Sequence, residues 1–161
     1  MNKMEAELTT LCYIEKDGKY LMLHRTKKEN EPSRDLWLGI GGHFEHGESP
    51  EECMLREVKE ESGLSLTAWK LRGIVTFSDG DWFEYMFLYS ADGFTGQMTE
   101  CTEGELVWVE KDKVINDLPI WEGDRIFLRL MDDGEPFFSL RLKYENRKLV
   151  YAAKDGIEIR R

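Results

Sequence analysis

The chain has 161 residues, enough for one domain with its own core (residues 1–161) and too few for several. Its apolar fraction of 41% and charged fraction of 34% are those of globular material, and a net charge of −10 argues against a nucleic-acid polymer as partner, because polymer binding needs a basic footprint. A nucleotide stays compatible with that charge, since a bound cation can carry the phosphates.

Met1 to Glu7 are polar and acidic, so no signal peptide is expected, and no apolar run approaches the roughly 18 residues of a membrane span. The three cysteines, Cys12, Cys53 and Cys101, match no zinc spacing and no disulfide framework. Cys12 and Cys53 read as small buried hydrophobes. A reducing, cytoplasmic location follows as the expectation. Composition leaves monomer and homodimer both open.

In chain order, Leu8 to Ile14 reads as a strand, Lys16-Asp17-Gly18-Lys19 as a turn, and Tyr20 to His24 as the returning strand of a hairpin. Residues 26–35, with Pro32 and Ser33, read as a loop. Leu36 to Gly42 is strand-like and ends in paired glycines, which let the backbone pass close to an ion or a phosphate. A helix follows: Ser49 is its N-cap, Pro50 suits the first position, Glu52 completes a capping box, and Gly63 is the C′ residue. Ser65 to Phe77 is predicted as strand, Ser78 to Asp81 as a turn, Trp82 to Tyr89 as a buried strand, and Gly93 to Glu105 as a loop. Leu106 to Val109 is a short strand and Glu110 to Ile115 a helical turn. Asp124 to Met131 carries apolar residues at helical spacing and is a second long helix, ended by Asp132-Asp133-Gly134. Phe137 to Tyr144 and Lys148 to Ala152 form a closing hairpin across Glu145-Asn146. Strands mixed with two main helices predict an α+β fold with a sheet between helices.

The most informative stretch is residues 42–64, G-H-F-E-H-G-E-S-P-E-E-C-M-L-R-E-V-K-E-E-S-G-L. On a helix, Glu57, Glu60 and Glu61 occupy one arc about 100° wide. Three like charges on one face repel unless a cation lies between them. Such a set of hard oxygen donors suits Mg²⁺ or Mn²⁺, ions that commonly bridge to substrate phosphates. His43 and His46 lie in the opening loop of this stretch and read as solvated loop residues.

The segment resembles the signature of the Nudix hydrolases, G-x5-E-x7-R-E-U-x-E-E-x-G-U with U apolar, and matches it at every specified position. The resemblance implies a Nudix-type α/β/α sandwich with a mixed sheet between helices. It further implies that Glu57, Glu60 and Glu61 ligate a divalent metal with help from the Gly41 carbonyl. Arg56 would orient a carboxylate, with Glu52 and Glu60 one turn to either side, and Glu48 would hold the loop before the helix. Catalysis would rest on Glu57, Glu60, Glu61 and Arg56, with Glu60 or Glu61 accepting the proton of the attacking water.

A looser likeness spans nearly the whole chain. Thr10-Leu11, Trp37 before the double glycine, Glu103, Trp108, Trp121-Glu122-Gly123-Asp124 and Phe137-Phe138 occur in that order, as in the MutT-type 8-oxo-dGTP diphosphatases. The likeness implies hydrolysis of a nucleoside triphosphate, an oxidised purine above all, to monophosphate and pyrophosphate, as in sanitation of the nucleotide pool. Glu103 would be a further metal ligand. Thr10, Arg25, Leu38, Gly42, Phe77, Trp121 and Asp124 would bind substrate, with Phe77 and Trp121 sandwiching the base, Asp124 at the purine edge and Arg25 on phosphate. Two positions depart from the mammalian oxidised-purine enzymes: Leu38 stands where they have a base-reading asparagine, and Gly123 where they have the first of two aspartates. The alternatives are another nucleoside diphosphate derivative or a non-catalytic binding module. Asp79-Gly80 replaces the proline of ADP-ribose enzymes, and Trp82 stands where dinucleoside polyphosphate enzymes tend to have a tyrosine.

Overall fold

The computed structural model describes residues 5–26 and 35–160. The predicted loop at Pro32 and Ser33 lies outside them. The strands are β1 (Glu7–Lys16), β2 (Lys19–Arg25), β3 (Trp37–Leu38), β4 (Ile40–His43), β5 (Ser65–Asp79), β6 (Trp82–Thr95), β7 (Gly104–Glu110), β8 (Phe138–Glu145), β9 (Lys148–Lys154) and β10 (Ile157–Arg160). The helices are α1 (Pro50–Ser62), α2 (Lys111–Asn116) and α3 (Glu122–Asp132).

The mixed sheet runs β10-β9-β8-β5-β6-β1-β2-β3, with β4 paired to β1 and β7 to β2. β5 and β6 form the long antiparallel hairpin at its centre; β1 lies parallel to β6 and β8 parallel to β5. β1 changes partner along its length. Its end pairs with β2 at Glu15↔Tyr20, whereas Thr9 to Cys12 pair with His43 to Ile40 of β4.

Alternation along β1 builds two cores. Leu11 and Tyr13 face a cluster that contains Phe127 and Leu128 of α3; Cys12 and Ile14 face one that contains Met54 and Val58 of α1. The period of two in a strand puts successive side chains on opposite faces, so a helix covers each face of the sheet, as the α+β sandwich requires.

Helix α1 forms because its ends are specified locally. Ser49 Oγ accepts from the Glu52 N–H at 3.1 Å while Glu52 Oε1 accepts from the Ser49 N–H at 3.0 Å. Gly63 closes the helix at φ +80°, the left-handed region that favours glycine. Helix α3 lies so near β8 that a Cβ on Gly123 would meet Leu142 Cδ1 and the Tyr144 hydroxyl at 2.6 Å. That clearance accounts for glycine at a position where the resemblance led to an aspartate.

Several boundaries differ from expectation. The Leu36 to Gly42 strand is broken at Gly39 into β3 and β4. β6 continues to Thr95, since β5 pairs with it to that point, and it takes the start of the predicted Gly93 to Glu105 loop. β6 is not buried throughout: Trp82 at its start is 45% exposed. β10, beyond the predicted closing hairpin, turns back across Asp155-Gly156, both at positive φ. No described helix is long and apolar enough to cross a membrane.

Candidate functional site

Glycine geometry joins β4 to its neighbours. A Cβ on Gly41 would lie 1.8 Å from the Thr10 carbonyl oxygen, and one on Gly42 would lie 2.5–2.7 Å from the carboxyl atoms of Glu57. Real side chains do not tolerate such distances, so both positions need glycine for strand and helix to approach this closely.

Arg56 organises the first half of the acidic face. Its Nε donates to Glu48 Oε2 at 2.7 Å and its Nη2 to Glu48 Oε1 at 2.9 Å, the paired geometry a guanidinium offers a carboxylate. Arg56 also donates to Glu57 Oε1 at 2.7 Å, to Glu60 Oε2 at 3.2 Å and to the His43 carbonyl at 3.1 Å. Glu48 in turn accepts the Glu45 N–H at 2.7 Å, which fixes the loop before α1 as expected. The Arg56 hydrogen bonds hold the Glu48 carboxyl down at about 2. Glu52 lies one turn before Arg56 as the sequence suggested, but its carboxyl serves the capping box.

Glu61 faces the other way, into the protein. It shares a hydrogen bond with Glu103, and its Oε2 is buried with no hydrogen-bond partner among the described residues. Burial, then the neighbouring carboxyls of Glu103 and Glu57, push Glu61 up to about 9. Arg25 Nη1 stands 3.4 Å from Glu103 Oε2 and tempers the repulsion. Among the described residues no three Asp, Glu, His or Cys side chains meet in metal-ligating geometry. The expected gathering of Glu57, Glu60 and Glu61 is therefore not present in this arrangement: Glu57 and Glu60 turn to Arg56, and Glu60 is 57% exposed. The donor chemistry nevertheless suits a hard divalent ion: two buried carboxyls pressed together, one with an orphaned oxygen, and a third set against Gly42.

Beside this cluster opens a cavity of about 430 Å³, a size ordinary for small-molecule sites. Gly41, Gly42 and Arg25, of which Gly42 adjoins Glu57 and Arg25 adjoins Glu103, line it together with Leu38, Phe77, Trp121 and Asp124. Phe77 and Trp121 do not form a parallel slot. Their rings meet edge to face at 5.6 Å and 81°, because both pack on Tyr144, at 4.8 and 5.3 Å. A base would need about 7 Å between parallel rings to be sandwiched, so the aromatic cluster offers a base a single wall.

Asp124 is buried to 6% exposure on the first turn of α3, and no described protein group hydrogen-bonds its carboxyl. Burial, then nearby Glu84, push it up to about 8. Thr10 lines the cavity, yet its hydroxyl lies 3.4 Å from Cys53 Sγ of α1. Thr9, one residue back and so on the other face, reaches a cavity carboxylate: its Oγ1 donates to Glu84 Oε2 at 2.7 Å. Sequence reasoning passed over Thr9, Glu84 and Arg147, all of which line the cavity. The only signal for Glu84 is a charge inside an apolar strand, W-F-E-Y-M-F. None of the three cysteines forms a disulfide, and all are buried. His43 is exposed and pairs with Glu7 at 3.2 Å, in keeping with a solvated loop residue.

The NUDIX domain model matches residues 7–131. An uncharacterised Nudix hydrolase of Bacillus subtilis, YvcI, is 36% identical over 134 residues, covering 78% of this chain and 79% of that protein. The oxidized purine nucleoside triphosphate hydrolase of Danio rerio is 28% identical over 156 residues, covering 95% and 97%. In three dimensions, a MutT protein from Bacillus halodurans superposes with a TM-score of 0.81 at 26% identity, over 92% of this chain and 97% of that one. With the signature helix, the mixed-sheet sandwich and these relatives in agreement, the chain belongs to the Nudix family, as a MutT-like pyrophosphohydrolase.

Proposed function

We propose that this protein hydrolyses a nucleoside triphosphate, 8-oxo-dGTP or a related oxidised purine nucleotide, to the monophosphate and pyrophosphate with Mg²⁺ or Mn²⁺, and so cleans the nucleotide pool. The observation that carries the reading is one cavity lined both by the aromatic wall of Phe77 and Trp121 and by Gly41, Gly42 and Arg25, of which Gly42 adjoins Glu57 of α1 and Arg25 adjoins Glu103. The name of the Danio rerio relative supports an oxidised purine as substrate.

Glu57, Glu61 and Glu103, with the Gly41 carbonyl, would hold the divalent ion, and Glu60 would join when it leaves Arg56. When bound, the ion neutralises phosphate charge and acidifies water. The remaining roles belong to side chains. Arg56 fixes Glu57 and Glu48. Arg25 is placed to meet phosphate. Glu60 or Glu61 takes the proton released by water. Water adds across the bridge between the α- and β-phosphorus: its oxygen joins one, and the bridging oxygen leaves with the other. Action as a single cytoplasmic domain, monomeric or homodimeric, completes the proposal.

The test is a parallel kcat/KM screen of oxidised and normal nucleoside triphosphates, ADP-ribose and dinucleoside polyphosphates with Mg²⁺. Highest kcat/KM for an oxidised purine triphosphate is expected. A preference for ADP-ribose, or wild-type rates no higher than those of a Glu57→Gln/Glu60→Gln double variant, overturns the reading.

A further inference from the structure

We propose that Glu84 is a specificity-determining residue which, together with Asp124, selects a base edge of guanine type, with an amino group and a ring N–H beside a carbonyl, whether or not the base is oxidised at C8. The inference rests on the reading above in one respect only, that a nucleotide base occupies the cavity.

Glu84 lies directly opposite Phe77 in the β5–β6 hairpin, so the two side chains share one face of the sheet, and both line the cavity. Its carboxylate is held in place from both sides. Thr9 Oγ1 donates to Oε2 at 2.7 Å and Trp82 Nε1 donates to Oε1 at 3.0 Å. Each carboxylate oxygen accepts more than one hydrogen bond, so each keeps capacity for a ligand. No Lys or Arg among the described residues pairs with Glu84, so neither oxygen is consumed by a cation.

Across the same cavity stands Asp124, nine-tenths buried and without a hydrogen-bond partner among the described residues. A buried carboxyl left unmatched is costly, and a ligand that completes it recovers that cost. Low solvation and the negative charge of Glu84 keep the Asp124 proton in place at neutral pH.

Counting donors and acceptors then identifies the edge. Glu84 accepts through both of its oxygens. The protonated Asp124 offers one acceptor and one donor. The pair therefore presents three acceptors and one donor, whose complement is three N–H groups and one acceptor. Among the four standard bases only guanine shows that set, through its 2-amino group, N1–H and O6. Adenine and thymine have a single donor position on this edge, and cytosine has one donor and two acceptors. Oxidation at C8 changes the far side of the purine and leaves this edge intact. The pair thus supplies the base-reading groups that Leu38, which has no polar atom, cannot.

The test is calorimetric binding of dGMP, dIMP, which lacks only the 2-amino donor, and 8-oxo-dGMP, in EDTA, to wild type, Glu84→Gln and Thr9→Val. Wild type is expected to bind dGMP at least about tenfold tighter than dIMP, since a site built around a donor rejects the analogue that lacks it. Glu84→Gln should bring that ratio close to one while the ratio of 8-oxo-dGMP to dGMP stays at its wild-type value. Thr9→Val, which removes one of the groups that hold Glu84, should lower the dGMP to dIMP ratio about threefold and covers the case of a misfolded Glu84 variant. A wild-type ratio retained in either folded variant overturns the proposal. Selective dGMP binding without turnover of any triphosphate would instead refute the hydrolase assignment and leave this inference standing. Triphosphate turnover with equal kcat/KM for dGTP, dITP and dATP would do the reverse.

Discussion

Replacing Asp124 by asparagine gives the sharpest test of how the site is built. The carboxyl is buried, has no hydrogen-bond partner to lose among the described residues, and is displaced from its ordinary 3.8 up to about 8. A carboxyl raised in the folded state binds its proton more tightly there than in the unfolded chain. Below about pH 4 both states hold the proton and Asp124 has no effect on the pH dependence. Between about pH 4 and 8 only the folded state holds it, so stability falls as pH rises, and the loss levels off above the folded value. At 1.36 kcal/mol per pH unit the full displacement corresponds to about 6 kcal/mol, a ceiling that water penetration and local relaxation reduce to roughly 2–5 kcal/mol. Asparagine has nearly the same shape and no proton to lose. Urea denaturation of wild type and Asp124→Asn at pH 5, 6.5, 8 and 9 should show curves within about 1 kcal/mol at pH 5 that diverge steadily, with the variant the more stable by the amount above at pH 9. Other perturbed groups, Glu61 among them, are common to both proteins and cancel in the difference. Parallel stability curves across this range would refute the assignment of a buried, protonated Asp124.

Three further outcomes follow from the same geometry. Gly42→Ala places a methyl group 2.5–2.7 Å from the Glu57 carboxyl, and should lower kcat/KM on the preferred triphosphate about 100-fold while a far-ultraviolet circular dichroism spectrum stays unchanged. Glu48→Gln removes the partner that Arg56 grips with two nitrogens; because the Glu48 carboxyl sits at about 2, its contribution is complete above its ordinary 4.5 and is lost only as pH falls toward 2, so thermal melts of variant and wild type should differ at pH 7 and converge in strong acid. Cys53→Ala deletes a fully buried thiol that touches Thr10 and the Gly42 carbonyl and should cost about 1–2 kcal/mol in urea melts, and in the native wild type the buried thiols should resist a thiol reagent until denaturant is added.

What could be read from the sequence was what local chemistry decides. Ser49, Pro50, Glu52 and Gly63 specify both ends of α1 within 15 residues of chain, and they reappear in the structure with the expected hydrogen bonds. Apolar spacing likewise gave α3 and most strands. Boundaries failed where a distant partner decides: β6 runs on to Thr95 because β5 pairs with it to that point, and Gly39 interrupts the run that splits into β3 and β4. The site divides in the same way. Arg56 and its carboxylates lie within one helix and its leading loop, so their pairing follows from spacing. Glu84 and Thr9 are 75 residues apart, and only the parallel pairing of β1 with β6 brings them together. Phe77 and Trp121 could be picked out as candidates for a base site, but their edge-to-face contact depends on Tyr144, which no periodicity connects to either.

The division of β1 between two cores has an evolutionary consequence. The residues that would break the phosphate bridge hang from α1 and β4, whereas those that would choose the base hang from β5, β6 and α3, across the sheet. Exchanges at 84 and 124 can therefore retune which nucleotide is admitted while the acid-bearing helix keeps its packing, so a lineage built on this plan can change its diet without re-inventing its chemistry.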